Sequence, residues 1–281
     1  MIDINSLDPQ EVTLKDKEFI ILERIGEGGG SYVFKIVENI EEIDNAKIYA
    51  LKVCKFNNKP IGKTGRYKLD KKFKNEILIA KEFSENKYKN NFITYLLDDT
   101  LQLKGGKNNS CYVMDIADES LEEYLCNRLS WSDEREILPK IRELALTVKL
   151  LHDNDYVHRD IKPQNILVHG ELFKLADFGM VEKENTSCTK SGPKYWPTPE
   201  FLNMCDDSIH CSGKQTDVFM LGCMFYFIYT KKYPVGNINI DLISNDYKMK
   251  PIIEKMISYD IADRYDNGGQ VYTLIDRIRF E

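Results

Sequence analysis

The sequence HRDIKPQN, residues 158–165, is the stretch that decides the fold of this chain. Pro163 favours a loop here, because proline lacks a backbone N–H and clashes with a preceding helical turn. Within a loop, an aspartate, a lysine two residues later and an asparagine five residues later can converge on one small site. Asp160, Lys162 and Asn165 would then supply a base, a cation for phosphate and an amide oxygen for a metal.

A second short motif, Asp177-Phe178-Gly179, follows twelve residues after Asn165 and adds another candidate metal ligand. The two motifs resemble the catalytic loop and the magnesium-binding DFG segment of protein kinases. One such loop can arise by chance, but two in the right order rarely do. The resemblance implies an α+β fold of two lobes, with a small five-stranded β lobe that carries one helix and a larger, mainly α-helical lobe.

The resemblance covers roughly residues 18–278. It implies an N-terminal extension over 1–17, a first lobe over 18–114, a hinge over 115–118 and a second lobe over 119–281. We expect the polar extension to lack regular structure. A weaker local resemblance, at Trp196, 118–124 and 217–226, is to the unfolded-protein-sensor kinases, without the C-terminal ribonuclease domain of that group.

A glycine-rich turn, GEGGGS at 26–31, lies between predicted strands near 19–25 and 32–37. A dinucleotide-binding unit needs a helix after such glycines, whereas β-branched and aromatic residues follow here. Glycines have no Cβ atom, so their backbone N–H groups can approach phosphates closely. The resemblance places the nucleotide against this hairpin and the next strand, through Ile25, Gly26, Gly28, Ser31, Val33 and Ala50.

Lys52 lies in a predicted apolar strand, residues 48–53, where a lysine needs an anionic partner. Glu76 lies on the apolar face of a predicted amphipathic helix, so it points inward and is the candidate partner. The resemblance implies that Lys52 binds the α- and β-phosphates and that Glu76 supports it. At the ends of the strand, Lys47 and Lys55 are predicted to be solvated.

Two more strands are expected at 92–99 and 111–116, before the hinge. By the resemblance, the backbone of Asp115 and Ala117 meets the adenine edge, and Met114 guards the deeper pocket. The nucleotide contacts that the resemblance implies also include one residue of the second lobe, Leu167.

Helical periodicity predicts helices around 121–125 and 137–151 in the second lobe. Asp217 precedes a long apolar run, where an aspartate would ordinarily cap the N-terminus of a buried helix. The resemblance adds that Asp217 holds the backbone of the catalytic loop and that Arg264 pairs with Glu200.

The chemistry that the resemblance implies is transfer of the γ-phosphoryl group of ATP, with Mg²⁺, to Ser and Thr hydroxyls of proteins. Asp160 would accept the hydroxyl proton, and Lys162 would steady the moving phosphoryl group. Asn165 and Asp177 would hold Mg²⁺ between the phosphates. A lysine at position 162 of this loop is typical of Ser/Thr kinases rather than Tyr kinases.

The segment 180–197 is expected to regulate the enzyme through phosphate. A phosphate on Thr186, Ser187 or Thr189 is predicted to pair with Arg159 through bidentate contacts. We expect this segment to be autophosphorylated, and a dimer would bring two copies together for that reaction.

Two residues of the same segment bear on substrate and activity. Met180 is typical of kinases that prefer serine. Pro193 stands where Ser/Thr kinases usually carry a threonine that links Asp160 and Lys162, so a pseudokinase or nucleotide-binding signalling scaffold is the alternative. A small-molecule kinase is disfavoured by TPE at 198–200, which resembles the peptide-positioning APE motif.

Composition narrows the possible classes of protein further. With 42% hydrophobic and 30% charged residues, the chain is expected to be globular. A net charge of −6 gives no reason to expect a nucleic-acid partner. Seven cysteines without C-x-x-C spacing predict reduced thiols and a cytoplasmic location, and a zinc site at Cys205, His210 and Cys211 lacks a fourth ligand. Neither a signal peptide nor a membrane-spanning run is expected.

Overall fold

The structure, a computed structural model, describes most of the 281-residue chain. It describes residues 2–280 except 4, 7, 40–45, 56–62, 105–107, 128–132, 185–195, 197, 203–212, 235 and 237, and only the backbone of 63–68, 86, 201 and 202. The chain is divided into two compact units. The first comprises Met1–Lys89 and Ile93–Ala117, and the second comprises Asn90–Phe92 and Asp118–Glu281.

The first unit is built on one antiparallel sheet. Its elements are β1 (Gln10–Leu14), β2 (Lys17–Glu27), β3 (Ser31–Glu38), β4 (Ile48–Cys54), helix α1 (Lys63–Glu82), a 3₁₀ turn (Asn86–Tyr88), β5 (Tyr95–Gln102) and β6 (Asn108–Asp115). The strands lie in the order β1-β2-β3-β4-β6-β5. One face of the sheet forms a hydrophobic core that includes Phe19, Ile21, Phe34, Ile36, Leu51, Val53 and Val113.

The sheet has six strands rather than five, because the N-terminal segment adds a strand. The prediction that this segment lacks regular structure is wrong for β1, where Val12 and Leu14 are buried and Val12 pairs with Phe19 of β2. Nearer the N-terminus, Ile2 forms a parallel bridge with Leu103, just beyond β5. The alternating run of β1 is only five residues long, so pairing with β2 stabilises it as a strand.

The second unit is mainly helical. Its elements are β7 (Glu119–Ser120), α2 (Leu121–Cys126), α3 (Glu134–Asp153), β8 (Tyr156–Val157), β9 (Ile166–His169), β10 (Leu172–Leu175), β11 (Glu182–Lys183), α4 (Pro199–Leu202), α5 (Gly213–Thr230), α6 (Lys250–Met256) and α7 (Gly268–Asp276), with 3₁₀ turns at Pro163–Asn165, Phe178–Met180, Ile240–Leu242 and Ile261–Asp263. Two small antiparallel sheets, β10-β9-β7 and β11-β8, flank the catalytic-loop sequence. The mixed helix and strand content agrees with the predicted α+β class.

Local signals explain where the two helices before the catalytic loop begin. Ser120 and Glu123 form a capping box at α2, in which each side chain accepts a hydrogen bond from the other residue's backbone N–H. Asp133 caps α3 by accepting from the backbone N–H of Arg135 at 2.8 Å. The helices predicted around 121–125 and 137–151 are therefore confirmed.

Helix α5 is buried on nearly every side from Val218 to Ile228, as expected of a helix that is apolar all round. Among the residues that the structure describes, no helix combines the length and the apolar character needed to cross a bilayer.

Candidate active site

The first unit holds a buried ion pair between strand β4 and helix α1. Lys52 Nζ donates to Glu76 Oε1 at 2.5 Å, and the two residues are 7% and 3% exposed. The Tyr112 hydroxyl donates to the same carboxylate oxygen at 2.9 Å. Removing one partner of a buried pair typically costs about 3–5 kcal/mol, because the other charge is left uncompensated. The structure thus brings together the two residues that the sequence pairs.

The strand register places the predicted nucleotide contacts on one face of the sheet. Val33 pairs with Lys52, Lys52 with Tyr112, and Ala50 with Met114. Paired residues on antiparallel strands share a face, and residues two apart on one strand do so as well. These five side chains therefore lie on the face opposite the hydrophobic core. Tyr112 joins this group only through the register, which the sequence does not reveal.

The remaining predicted nucleotide contacts lie at several places in the two units. Ile25 is 47% exposed on β2, and an added Cβ at Gly26 would lie 3.4 Å from Val33 Cβ. Asp115 ends β6, and its backbone N–H donates to the Thr94 carbonyl at 2.9 Å. The other positions are Gly28 in the exposed turn, Ser31 at the start of β3, Ala117 after β6 and Leu167 on β9.

Lys55 corrects the prediction of a solvated strand end, because it is only 4% exposed. Its Nζ donates to the carbonyl of Gly28 at 2.7 Å and to Glu27 Oε1 at 2.5 Å, and lies 4.3 Å from the centre of the Tyr32 ring. Its backbone N–H donates to the carbonyl of Gly30 at 2.8 Å. Lys55 therefore binds both ends of the glycine turn. Sequence reasoning missed this interaction because the partners of Lys55 lie far away along the chain.

In the second unit, two side chains of the catalytic-loop sequence converge on the carboxylate of a third, Asp160. Lys162 Nζ donates to Asp160 Oδ2 at 2.7 Å, and Asn165 Nδ2 donates to the same oxygen at 2.9 Å. Asn165 Nδ2 also donates to the backbone carbonyl of Asp160 at 2.8 Å. Asp160 and Asn165 are buried, so the loop fixes a carboxylate with a cation and an amide beside it.

The donors around Asp177 suit a hard cation. The Ala176 N–H, directly before Asp177, donates to the Asn165 carbonyl at 2.9 Å, so the two candidate ligands are neighbours. Both amide hydrogens of Asn165 are directed to Asp160, so its amide oxygen is the group able to coordinate a metal. An amide oxygen and a carboxylate match the preference of Mg²⁺, which takes its other ligands from water and phosphates.

Two loop residues hold backbone conformations that L-residues rarely adopt. Arg159 and Asp177 have φ values of 63° and 61°, in the left-handed region. Such conformations cost about 1–3 kcal/mol each and persist only where surrounding contacts enforce them. Asp217 provides those contacts for Arg159, because its carboxylate accepts the N–H of His158 at 2.6 Å and that of Arg159 at 2.7 Å.

The position of Asp217 excludes the ordinary alternative that it caps a helix. Helix α5 begins at Gly213, so Asp217 lies in the first part of the helix and is completely buried. Its second neighbour is His152, whose Nε2 lies 3.1 Å from Asp217 Oδ2. The Gly268 N–H donates to His152 Nδ1 at 2.9 Å, so Nδ1 is the acceptor and Nε2 carries the proton. A neutral histidine thus helps to hold the carboxylate.

His158 is completely buried beside Phe178, with ring centres 6.2 Å apart. Burial lowers the pKa of His158 below its ordinary value, and the carboxylates of Asp217, Asp160 and Asp177 only partly oppose this effect. Burial therefore favours the neutral imidazole, which packs against Phe178.

Comparison with known proteins now decides the family. The family described as "Protein kinase domain" matches residues 19–276, which is most of the chain. The chain belongs to the protein kinase family. The kinase domain is 29% identical over 245 residues to serine/threonine-protein kinase mph1 of Schizosaccharomyces pombe, covering 82% of this chain and 33% of that protein.

Two further relatives are similar over most of the kinase domain. Serine/threonine-protein kinase cds1 of Schizosaccharomyces pombe is 27% identical over 277 residues, covering 92% of this chain and 56% of that protein. Serine/threonine-protein kinase MPS1 of Saccharomyces cerevisiae is 25% identical over 243 residues, covering 80% of this chain and 29% of that protein. The chain spans between 29% and 56% of the length of these three relatives. They support a eukaryotic-type Ser/Thr protein kinase domain, a family whose members use ATP and Mg²⁺.

The kinase domain also contains the predicted pair of Glu200 and Arg264. Arg264 donates to both carboxylate oxygens, at 2.8 and 3.0 Å, and the Thr216 hydroxyl donates to one of them at 2.9 Å. Burial opposes ionisation of Glu200, but the hydrogen bonds and charge of Arg264 hold the pKa of that carboxyl below its ordinary value. This ion pair is confirmed.

An ion pair at the catalytic loop of the kinase domain was not predicted. Arg159 Nη1 donates to Glu182 Oε2 at 2.5 Å, and Arg159 is 3% exposed. Glu182 belongs to no recognised motif. The one sequence signal that could have indicated it is its position shortly after the DFG segment. The predicted phosphate acceptors lie outside the described residues, as do Ser191, Pro193, Cys188, Cys205, His210 and Cys211.

The described cysteines of the kinase domain, Cys54, Cys111, Cys126 and Cys223, are free thiols. Among the described residues, no group of three or more His, Cys, Asp or Glu side chains forms a metal cluster.

Proposed function

We propose that this domain is an active Ser/Thr protein kinase that transfers the γ-phosphoryl group of ATP to Ser and Thr hydroxyls of proteins. The observation that carries the proposal is the convergence of Lys162 and Asn165 on the Asp160 carboxylate. Phosphoryl transfer demands positioning and charge neutralisation more than covalent chemistry, and this arrangement offers both.

The second unit would perform the chemical step. Asp160 orients the substrate hydroxyl and accepts its proton as the phosphoryl group moves. Lys162 neutralises charge that develops on the phosphoryl oxygens. The Asn165 amide oxygen and the Asp177 carboxylate would hold Mg²⁺, which supplies neutralisation of the nucleotide phosphates.

The first unit would bind the nucleotide. Lys52, held by Glu76, presents its ammonium group to the α- and β-phosphates. Gly28 lies in the turn whose backbone N–H groups would approach the phosphates. The sheet face described above would pack on adenine, while the backbone groups of Asp115 and Ala117 would contact its polar edge. The proposed contacts in this unit are Ile25, Gly26, Gly28, Ser31, Val33, Ala50, Lys52, Met114, Asp115 and Ala117. The other predicted contact, Leu167, belongs to the second unit.

We further propose that the segment 180–197 is an acceptor of autophosphorylation, with Thr186, Ser187, Thr189 and Ser191 as candidate sites. A transient dimer would allow one copy to phosphorylate another. The free thiols favour the cytoplasm as the working compartment.

The experiment that tests this function compares wild type with Asp160→Asn in Mg²⁺ and labelled ATP, on generic protein substrates and on the protein itself. We expect Asp160→Asn to lower kcat at least about 100-fold, because the hydroxyl loses its base and its orienting partner. Asp153→Asn is the matched control, since Asp153 lies on the surface of α3 and pairs there with Lys149. Its activity should equal that of wild type.

Two outcomes would contradict the proposal. Equal activity in Asp160→Asn and wild type would remove Asp160 from the chemistry. Binding of ATP by wild type without any transfer would instead favour the nucleotide-binding scaffold.

A further inference from the structure

We propose that Glu182 takes the place of an activating phosphate on Arg159, so that the catalytic loop is held in position in the unphosphorylated chain. The inference rests on the proposed function, because it concerns the regulation of the same site. It replaces the expectation that Arg159 waits for a phosphate on the segment 180–197.

The first argument is the charge balance of a buried cation. Arg159 is 3% exposed, and an arginine side chain remains protonated in proteins. A buried guanidinium needs an anion, which a phosphorylated residue can provide. Here Glu182 Oε2 lies 2.5 Å from Arg159 Nη1, so a carboxylate of the chain already meets that need.

The second argument is the way the backbone delivers this carboxylate. Glu182 lies on β11, which pairs with β8 through Glu182 with Val157 and Lys183 with Tyr156. Strand β8 leads directly into the catalytic loop, whose first residue is His158. The position of Glu182 is therefore coupled through hydrogen-bonded strands to the loop that contains Arg159.

A second ion pair anchors the same segment beside the first. Glu184 donates its backbone N–H to the carbonyl of Asp155 at 2.9 Å, and its carboxylate lies 2.7 Å from Lys214 Nζ. Burial opposes the charge of Lys214, but its hydrogen bonds to Glu184 and Asp155 raise its pKa above the ordinary value. The segment after the DFG motif is thus tied to the helical part of the unit without any modification.

The pairing bears on Asp160 through the backbone of Arg159. Arg159 directly precedes Asp160 in the chain. It has a φ of 63° and donates its N–H to Asp217 at 2.7 Å. A side chain fixed by Glu182 keeps this backbone conformation and so keeps the Asp160 carboxylate oriented. Glu182 is thus a positioning residue for the proposed base.

The first measurement uses wild type from which phosphate has been removed by a phosphatase, with removal checked by mass spectrometry. We expect kcat to stay within about twofold of the untreated enzyme. A variant with Thr186, Ser187, Thr189 and Ser191 all changed to Ala should behave the same way. A loss of tenfold or more on dephosphorylation would overturn the proposal.

The second measurement compares Glu182→Gln with Glu184→Gln, both free of phosphate. Glu182→Gln should lower kcat about tenfold or more while KM for ATP stays within about twofold, because the loop rather than the nucleotide site is disturbed. Glu184→Gln keeps the Arg159 pair and should lose less than about threefold. Equal losses in the two variants would overturn the proposal, as would an unchanged Glu182→Gln enzyme.

Rescue separates the proposed role from simple packing. Glu182→Gln phosphorylated in trans by wild type on the segment 180–197 should recover kcat at least about fivefold, because a phosphate offers Arg159 a new anion. A side chain that only packed would not be rescued in this way, so absence of recovery contradicts the proposal.

Amide hydrogen exchange tests whether Glu182 holds the catalytic loop, even if wild type transfers no phosphate and the proposed function fails. The His158 and Arg159 amides donate to Asp217 and should be protected in unphosphorylated wild type. Glu182→Gln should lower their protection about tenfold, whereas Glu184→Gln should not. Unchanged protection in Glu182→Gln would overturn the inference.

Discussion

At the residue scale, Lys55 illustrates how one buried cation can restrict a glycine-rich turn. Glycine loses more conformational freedom on ordering than other residues, so three glycines in succession favour a mobile turn. Lys55 opposes this tendency by donating to Gly28 from its side chain and to Gly30 from its backbone, with Glu27 balancing its charge. The side-chain contacts pre-organise the hairpin that the proposed function places over the phosphates.

We predict that Lys55→Met raises KM for ATP about three- to tenfold with little change in kcat, because the freed turn must be ordered when the nucleotide binds. Lys47→Met is the matched control, since Lys47 is exposed at the opposite end of the same strand. Steady-state kinetics over a range of ATP concentrations measures both variants. An unchanged KM in Lys55→Met, or an equal rise in Lys47→Met, would show that the side chain does not organise the turn.

At the element scale, β1 and α5 show two ways in which packing determines an element. Strand β1 has an alternating pattern in which only Val12 and Leu14 are buried. Helix α5 approaches α6 closely at Gly222, where an added Cβ would lie 2.7 Å from Met256 Cβ. Strand β1 forms because it pairs with β2. Helix α5 can pack closely on α6 because Gly222 has no side chain.

We predict that Leu14→Ala lowers the free energy of unfolding by about 2–5 kcal/mol, because a fully buried leucine leaves a cavity in the core of the first unit. Thr13→Ala, at the exposed position beside it, should change this free energy by less than about 0.5 kcal/mol. Urea denaturation of both variants provides the comparison. If Leu14→Ala is as stable as Thr13→Ala, then β1 does not belong to the folded sheet.

At the scale of the whole molecule, burial couples protonation to unfolding. His158 is completely buried, and burial lowers its pKa below the ordinary value of 6.5. The unfolded chain takes up a proton on this ring near pH 6.5, whereas the folded protein does so only at lower pH. Over the interval between the two pKa values the unfolded state binds more protons, so acidification favours unfolding.

We therefore predict that His158 makes the free energy of unfolding fall as the pH is lowered from about 7 towards 5, by at most about 1.4 kcal/mol per pH unit. Above pH 7 this residue should contribute no slope, because the ring is neutral in both states. Urea denaturation at several pH values measures the slope, and His158→Phe or His158→Gln should remove that part of it. Slopes identical to that of wild type in both variants would contradict the prediction.

What the sequence determined by itself is the part encoded in contiguous residues. The sequence of the loop at 158–165 predicts that its aspartate, lysine and asparagine side chains converge, because they lie close together in one short segment that proline keeps out of a helix. Alternation predicts the strands of the glycine-rich hairpin, and the apolar face of α1 predicts that Glu76 points inward. Each of these inferences needs only local geometry, which propensity and periodicity record directly.

What only the tertiary structure decided is the pairing of charges that lie far apart along the chain. Lys55 looks like a solvated strand end until the hairpin folds onto it, and the segment 10–14 becomes a strand only beside β2. Glu182 has no motif, yet strand pairing carries it to Arg159. A buried charge must find a counterion wherever the fold supplies one, so its partner is chosen by packing rather than by sequence spacing.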